Sequence, residues 1–171
     1  MANNVKRLIE QGFIARDSSV KNLATKYLQK ARNNIITMSI LSNVNENKKA
    51  RELLKIPSEY NSDEWVVICG YYAMYSSALA LIAKLGFRSK NHIATITILE
   101  ESFILKKILA KEDVTSLKNA ILQKEEIEKL SEARHKREIA QYSVTKQTTK
   151  EIVESIKKDA YQFINKVESI I

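Results

Sequence analysis

The sequence predicts an all-α fold: an antiparallel up-and-down helical bundle with a nearly uncharged central helix. Three observations predict it. The chain has 171 residues but only three glycines and one proline, too few turn formers for a sheet protein of that length. The run WVVICGYYAMYSSALALIA, Trp65 to Ala83, passes without a formal charge. Apolar residues on either side of it recur in the three- and four-residue steps of helical faces. The length suits a single domain, residues 1–171, with its core from about 18 to the end and an N-terminal extension over 1–17.

Taken in order, a short helix from Asn4 to Gln11 ends at Gly12. Asp17 or Ser18 then serves as N-cap for a longer helix. Its face reads Val20, Leu23, Ala24, Tyr27, Leu28, Ala31, Ile35, Met38 and Leu41. The polar NVNENKK breaks it. A brief helix from Lys48 to Lys55 follows and is stopped by Pro57. Asn61 with Glu64 resembles a capping box for the central helix, which runs to Leu85 with Gly86 at its C-terminal cap. Ser89 caps a helix from Lys90 to about Ala110. Asp113 starts a long polar helix towards Gln141. Thr148 with Glu151 forms a second capping box. The last helix shows Ile152, Ile156, Ala160, Phe163, Ile164, Val167 and Ile171 on one face.

Composition narrows the function classes. A net charge of +8 suggests acidic partners such as RNA, nucleotides or an acidic protein, without choosing among them. The one cysteine, Cys69, makes no intrachain disulfide, which fits a reducing compartment and a cytoplasmic location. The start MANNVKRLIEQGF is polar, so no secretory signal is expected. The uncharged run is long enough for a membrane span, but it holds Gly70, three tyrosines and two serines, so a buried central helix is the better reading. Two histidines and one cysteine offer no metal-ligand spacing, the glycines are isolated, and no nucleophile turn is recognisable. No metal or cofactor is implied.

Two polar constellations remain. Arg88 and His92, at i and i+4, are expected to share a face at a helix start, where Arg88 can clamp a phosphate and His92 can move a proton. The plain alternative pairs Arg88 with a carboxylate and packs His92 beneath the preceding loop. The second constellation is SEARHKREIAQY, Ser131 to Tyr142. It reads either as a solvated face of ordinary pairs or as a basic stripe of Arg134 and Arg137 closed by the Tyr142 phenol. His135 points about 100° away from Arg134 around the helix. Tyr71, Tyr72 and Tyr75 can stack on bases, or serve as core residues with satisfied hydroxyls.

The segment CGYYAMYSSALALIAKLGFRSKNH resembles the signature of HEPN domains, the "higher eukaryotes and prokaryotes nucleotide-binding" family. Tyr72, Ala73, Met74 and Tyr75 match its helix core; Arg88 and His92 match its basic-loop and histidine positions. Arg134, Arg137, Glu138 and Tyr142 resemble the later R-x-x-R-E-x-A-D-Y element, and Ala24, Leu28, Lys30 and Ala31 resemble the opening helix.

The resemblance implies a bundle that forms homodimers and binds a nucleotide, RNA or a partner protein through Arg88, Arg134, Arg137 and Tyr142. It implies the HEPN half of a toxin–antitoxin-like pair with a minimal nucleotidyltransferase, and no membrane. The alternative it carries is a metal-independent ribonuclease toxin using His92 and Arg88. A structural helical protein is a further alternative. The resemblance implies that the family's ribonucleases place a histidine after an arginine on the late helix, with four to six residues between them. Here Ile139, Ala140 and Gln141 follow Arg134 at those places, and Gln141 replaces the acidic residue before Tyr142. Whether the chain is an enzyme therefore stays open at the level of sequence.

Overall fold

The computed structural model describes residues 4–137 and 148–171, with side chains described through residue 129 and from 148 onward. Among the described residues there are seven α-helices and one two-stranded sheet. The all-α reading holds.

Helix α4, Asp63–Lys84, is the centre. It packs on α2 (Ala24–Glu46), α6 (Lys111–Arg137) and α7 (Lys150–Glu168), which bury most of its surface. Its small residues permit this. Gly70, Ala73, Ser77, Ala78 and Ala80 leave room for neighbouring helices, while Val66, Met74, Leu81 and Ile82 fill the spaces between them. The Ser77 hydroxyl is satisfied within the helix by the Ala73 carbonyl at 3.0 Å. α4 is long and apolar enough to cross a membrane, but 78% of its apolar window is buried by the rest of the chain, as in a core helix. From α7, Ile156, Ala160, Phe163, Ile164 and Val167 are buried as the periodicity predicts; Val153 is buried too, while Ile152 is half-buried and Ile171 is exposed.

Several boundaries differ from the sequence reading, each for a local reason. Asp17 caps as expected, accepting from the Ser19 amide at 3.0 Å, but it opens a 3-10 turn, Ser18–Leu23, that leads into α2. The break after α2 narrows to Asn47, whose side chain caps α3 (Lys48–Leu53). Pro57 does not stop α3. Lys55 does so first, in a left-handed conformation (φ 53°), with the Ile56 amide reaching back to the Arg51 carbonyl at 2.9 Å. Ser62, not Asn61, is the N-cap of α4, although Asn61 Oδ1 still accepts from the Asp63 amide at 2.7 Å. Likewise Thr149, not Thr148, caps α7. Asp113 lies within the first turn of α6, where its carboxylate accepts from the Ala110 amide.

The helix expected over Lys90–Ala110 is split. Asn91 caps α5, His92–Leu99, by accepting from the Ala94 amide at 2.8 Å. A π turn over Glu100–Ile104 inserts one residue into the repeat. Lys107 (φ 57°) then ends the run, and Phe103 and Leu109 are buried beside it.

Residues before 18 form two elements. Helix α1, Asn4–Glu10, buries Leu8. Strand β1, Ile14–Arg16, pairs antiparallel with β2, Phe87–Ser89, and buries Ile14. No feature of the sequence reading anticipated this two-stranded ribbon between distant segments.

Candidate functional site

The described polar groups that converge lie where α4, the start of α5 and α6 meet. Asn91 fixes the first turn of α5 and so presents His92 to α4. Tyr71 and Tyr75, one helical turn apart on α4, receive it. The Tyr71 hydroxyl lies 2.8 Å from His92 Nε2. The imidazole stands edge-on to both rings, with centroids 5.9 Å from Tyr71 and 4.8 Å from Tyr75. The Tyr75 hydroxyl contacts Thr95 Oγ1 at 3.3 Å, and Thr95 in turn contacts Ser89 Oγ at 2.7 Å. From α6, Lys124 lies over the Tyr71 ring at 5.6 Å and pairs with Glu128, while Glu125 Oε1 is 3.9 Å from His92 Nδ1.

The electrostatics assign the protons. Burial pushes the Tyr71 phenol well above its ordinary value, and the neighbouring tyrosines, Glu128 and Glu125 add to this. Tyr71 therefore keeps its proton and is able to donate it in a hydrogen bond to Nε2. Burial also lowers the His92 pKa; Glu125 and Glu128 oppose this and Lys124 adds to it, leaving it below the ordinary 6.5. The Glu125 carboxylate facing Nδ1 favours the neutral tautomer with its proton on Nδ1, and in that tautomer Nε2 accepts from Tyr71.

Arg88 goes elsewhere. It sits in β2 opposite Ala15 and pairs with Asp17 Oδ2 at 3.0 Å. The Asp17 carboxyl is held below its ordinary value by hydrogen bonds from Ser19 and then by Arg88. The expectation that Arg88 and His92 share one helical face is therefore corrected. Gly86, at φ 78°, turns the chain out of α4 into an extended strand, and helix resumes only at His92. Of the two readings of Arg88, the carboxylate pair is the one observed.

His92 meets Glu125 and Glu100 meets Lys118, so α6 runs antiparallel to α5. Arg134 and Arg137 lie on the backbone of α6, about 14 Å and 18 Å beyond Glu125 along the axis at the α-helical rise. Arg88 lies in β2, just past the C-terminal end of α4. The side chains of Arg134, His135 and Arg137 lie outside the described residues, as does Tyr142 entirely.

Sequence reasoning missed the partner of His92. Tyr71 and Tyr75 are core residues with satisfied hydroxyls, one of the two readings given them; Tyr72 is partly exposed. Their i, i+4 spacing was visible, but which distant group would meet that stripe depends on the return of the chain through β2. Glu125 and Lys124 carried no local signal at all.

No curated protein matches the chain. The family model described as HEPN domain matches residues 45–170, from the end of α2 through α7. The matched stretch holds α4, His92 and the α6 arginines and covers most of the sequence. The chain belongs to the HEPN domain family.

Proposed function

We propose that this protein is a nucleotide- or RNA-binding HEPN module rather than a ribonuclease. The observation that carries this is the engagement of the candidate proton carrier: the Tyr71 hydroxyl holds His92 Nε2 at 2.8 Å. A general base must reach the proton it removes with a free lone pair, and here Tyr71 occupies that lone pair. The charge of +8 and the run of α6 from His92 to Arg134 and Arg137 support a phosphate-binding role. Tyr142 belongs to the same reading as a hydrogen-bonding phenol.

Fluorescence anisotropy with a labelled single-stranded RNA, across a salt series, tests binding. The same RNA incubated with the protein in chelator tests cleavage. Binding that weakens as salt rises, without cleavage, is the expected result. Cleavage that is lost in His92→Ala establishes the ribonuclease alternative instead, and absence of binding at low salt removes the RNA reading.

The proposal extends to a cytoplasmic homodimer that pairs with a minimal nucleotidyltransferase in a toxin–antitoxin-like system. The family likeness of the central segment supports it. Light scattering after size exclusion reads the dimer, and co-purification of co-expressed proteins reads the partner.

A further inference from the structure

Residues 1–44 lie outside the family match, and part of them builds one surface of the molecule. Helix α1 closes on Gly12 (φ 75°), with the Gly12 amide on the Ile9 carbonyl and the Phe13 amide on the Leu8 carbonyl, both at 2.9 Å. That closure fixes the backbone of Phe13. The Lys90 amide then donates to the Phe13 carbonyl at 3.0 Å, and Ala15 stands opposite Arg88 in the ladder. Side chains alternate along strands, so Phe13, Ala15, Arg88 and Lys90 share the face opposite the buried Ile14. Phe13 is 41% exposed, the Arg88 side chain is 59% exposed, and Lys90 is exposed. On the other face of the ribbon, the side of Ile14, Arg16 stands 5.3 Å from the Phe87 ring centroid, and both border a groove of about 460 Å³ with Lys6.

The acids nearby are largely engaged. Asp17 is held by Ser19 and Arg88, and Glu101, which lines the same groove, accepts from the Asn4 amide. Glu10, at the end of α1, is exposed. Only one nitrogen of the Arg88 guanidinium is used by Asp17, which leaves donors for a phosphate oxygen. An exposed ring flanked by cations, with alanine between them, fits a strand that offers alternating flat bases and negative charges. An acidic protein matches the cations but makes no use of the ring.

We propose that the outer face of the β1–β2 ribbon is a contact surface for single-stranded RNA, with Phe13 stacking on a base and Arg88 and Lys90 on the flanking phosphates. This rests on the RNA-binding reading above and adds to it a site outside the family match.

The test is photo-crosslinking of the full chain to a single-stranded RNA carrying 4-thiouridine, with the crosslinked peptides mapped, alongside anisotropy with a labelled oligouridylate. Crosslinks are expected on the Phe13 peptide. Phe13→Ala should weaken binding about tenfold, through loss of one base stack, while Phe13→Trp retains it. Lys90→Gln should flatten the salt dependence by roughly one ionic contact. Circular dichroism melts confirm that each variant is folded, and the tryptophan variant keeps the comparison decisive if alanine disturbs the ribbon. Crosslinks confined to other peptides, or Phe13→Ala and Lys90→Gln binding like the parent, overturn the ribbon site and leave the RNA reading standing. A parent chain that binds no RNA overturns both. Displacement of the RNA by polyaspartate of equal charge at equal concentration shows an acidic-protein surface and also overturns the proposal.

Discussion

The Tyr71 hydroxyl and His92 Nε2, 2.8 Å apart, join the middle of α4 to the first residue of α5. This bond joins residues 21 positions apart, between which the chain leaves α4, passes through β2 and returns. It holds Nε2 against α4 and turns Nδ1 towards Glu125 of α6, whose carboxylate favours the proton on Nδ1. The histidine thereby links three helices of the bundle, and any chemistry asked of it must first break a phenol–imidazole bond.

Tyr71→Phe removes that donor while keeping the ring. The neutral imidazole loses its stabilising partner, so the His92 pKa should rise towards its ordinary value. Histidine proton titration by NMR reads the shift. Stability should fall by about 1 kcal/mol, the usual contribution of one hydrogen bond. A His92 titration identical to the parent's would show that the phenol does not hold the imidazole.

The lowered pKa of His92 also makes a claim about pH. The unfolded chain binds a proton at the ordinary value of 6.5, whereas the folded chain binds it only at lower pH. Between those two values the unfolded state holds more protons, so stability rises with pH. The contribution is fully present above 6.5 and is lost as pH falls through the folded value. Denaturant midpoints measured from pH 7 downward should fall more steeply for the parent than for His92→Gln. Parallel curves would remove His92 as the source.

How much of this was legible beforehand depended on how local the signal was. The uncharged run of α4, the buried stripe of Ile156, Ala160, Phe163 and Val167, and the turn at Gly86 are written in neighbouring residues and were read correctly. Caps were misplaced by one or two residues where cap formers stand together, as in Asn61–Ser62, Ser89 with Asn91, and Thr148–Thr149. The β1–β2 pairing was invisible because each strand has three residues and Ile14 lies far in sequence from its partner Ser89, with α4 between them. The split after α5 was hidden for a related reason: GluGluSerPheIle is ordinary helical sequence, and the burial of Phe103 and Leu109 goes with the extra residue. The site itself was half-seen, since His92 was singled out but its phenol and carboxylate neighbours are tertiary.

Lys55 offers a stabilising change. It occupies the left-handed position after α3 (φ 53°), with the amides of Lys55 and Ile56 bonded back to Glu52 and Arg51. A side chain there costs about 1 kcal/mol relative to glycine, which adopts the conformation freely. Lys55→Gly should therefore gain roughly 0.5–1 kcal/mol, less whatever the unfolded chain gains in entropy. A thermal melt reads it directly. A loss of stability would show that the Lys55 side chain contributes more than its backbone strain removes.

Gly70 sits where α4 crosses α7, and the physics of that crossing can be tested with one methyl group. A Cβ placed on Gly70 would lie 2.7 Å from Cγ1 of Ile156 and 3.4 Å from the Met38 sulfur. Both neighbours are fully buried, and Cγ1 is close to the α7 backbone, so it cannot swing aside as a chain end would. Alanine is the better helix former by about 1 kcal/mol. Overpacking of a filled core costs about 1–3 kcal/mol, so the crowding term wins. Gly70→Ala should lose about 1 kcal/mol net in denaturant unfolding. Ile156→Ala removes the opposing atom at its own cavity cost of about 2–5 kcal/mol. In the double variant the new methyl group enters the space that was opened. The double variant should therefore be more stable than the sum of the two single losses requires, with a coupling of at least 0.5 kcal/mol, as contacting residues show. Strict additivity would mean that something other than the α4–α7 contact keeps position 70 a glycine.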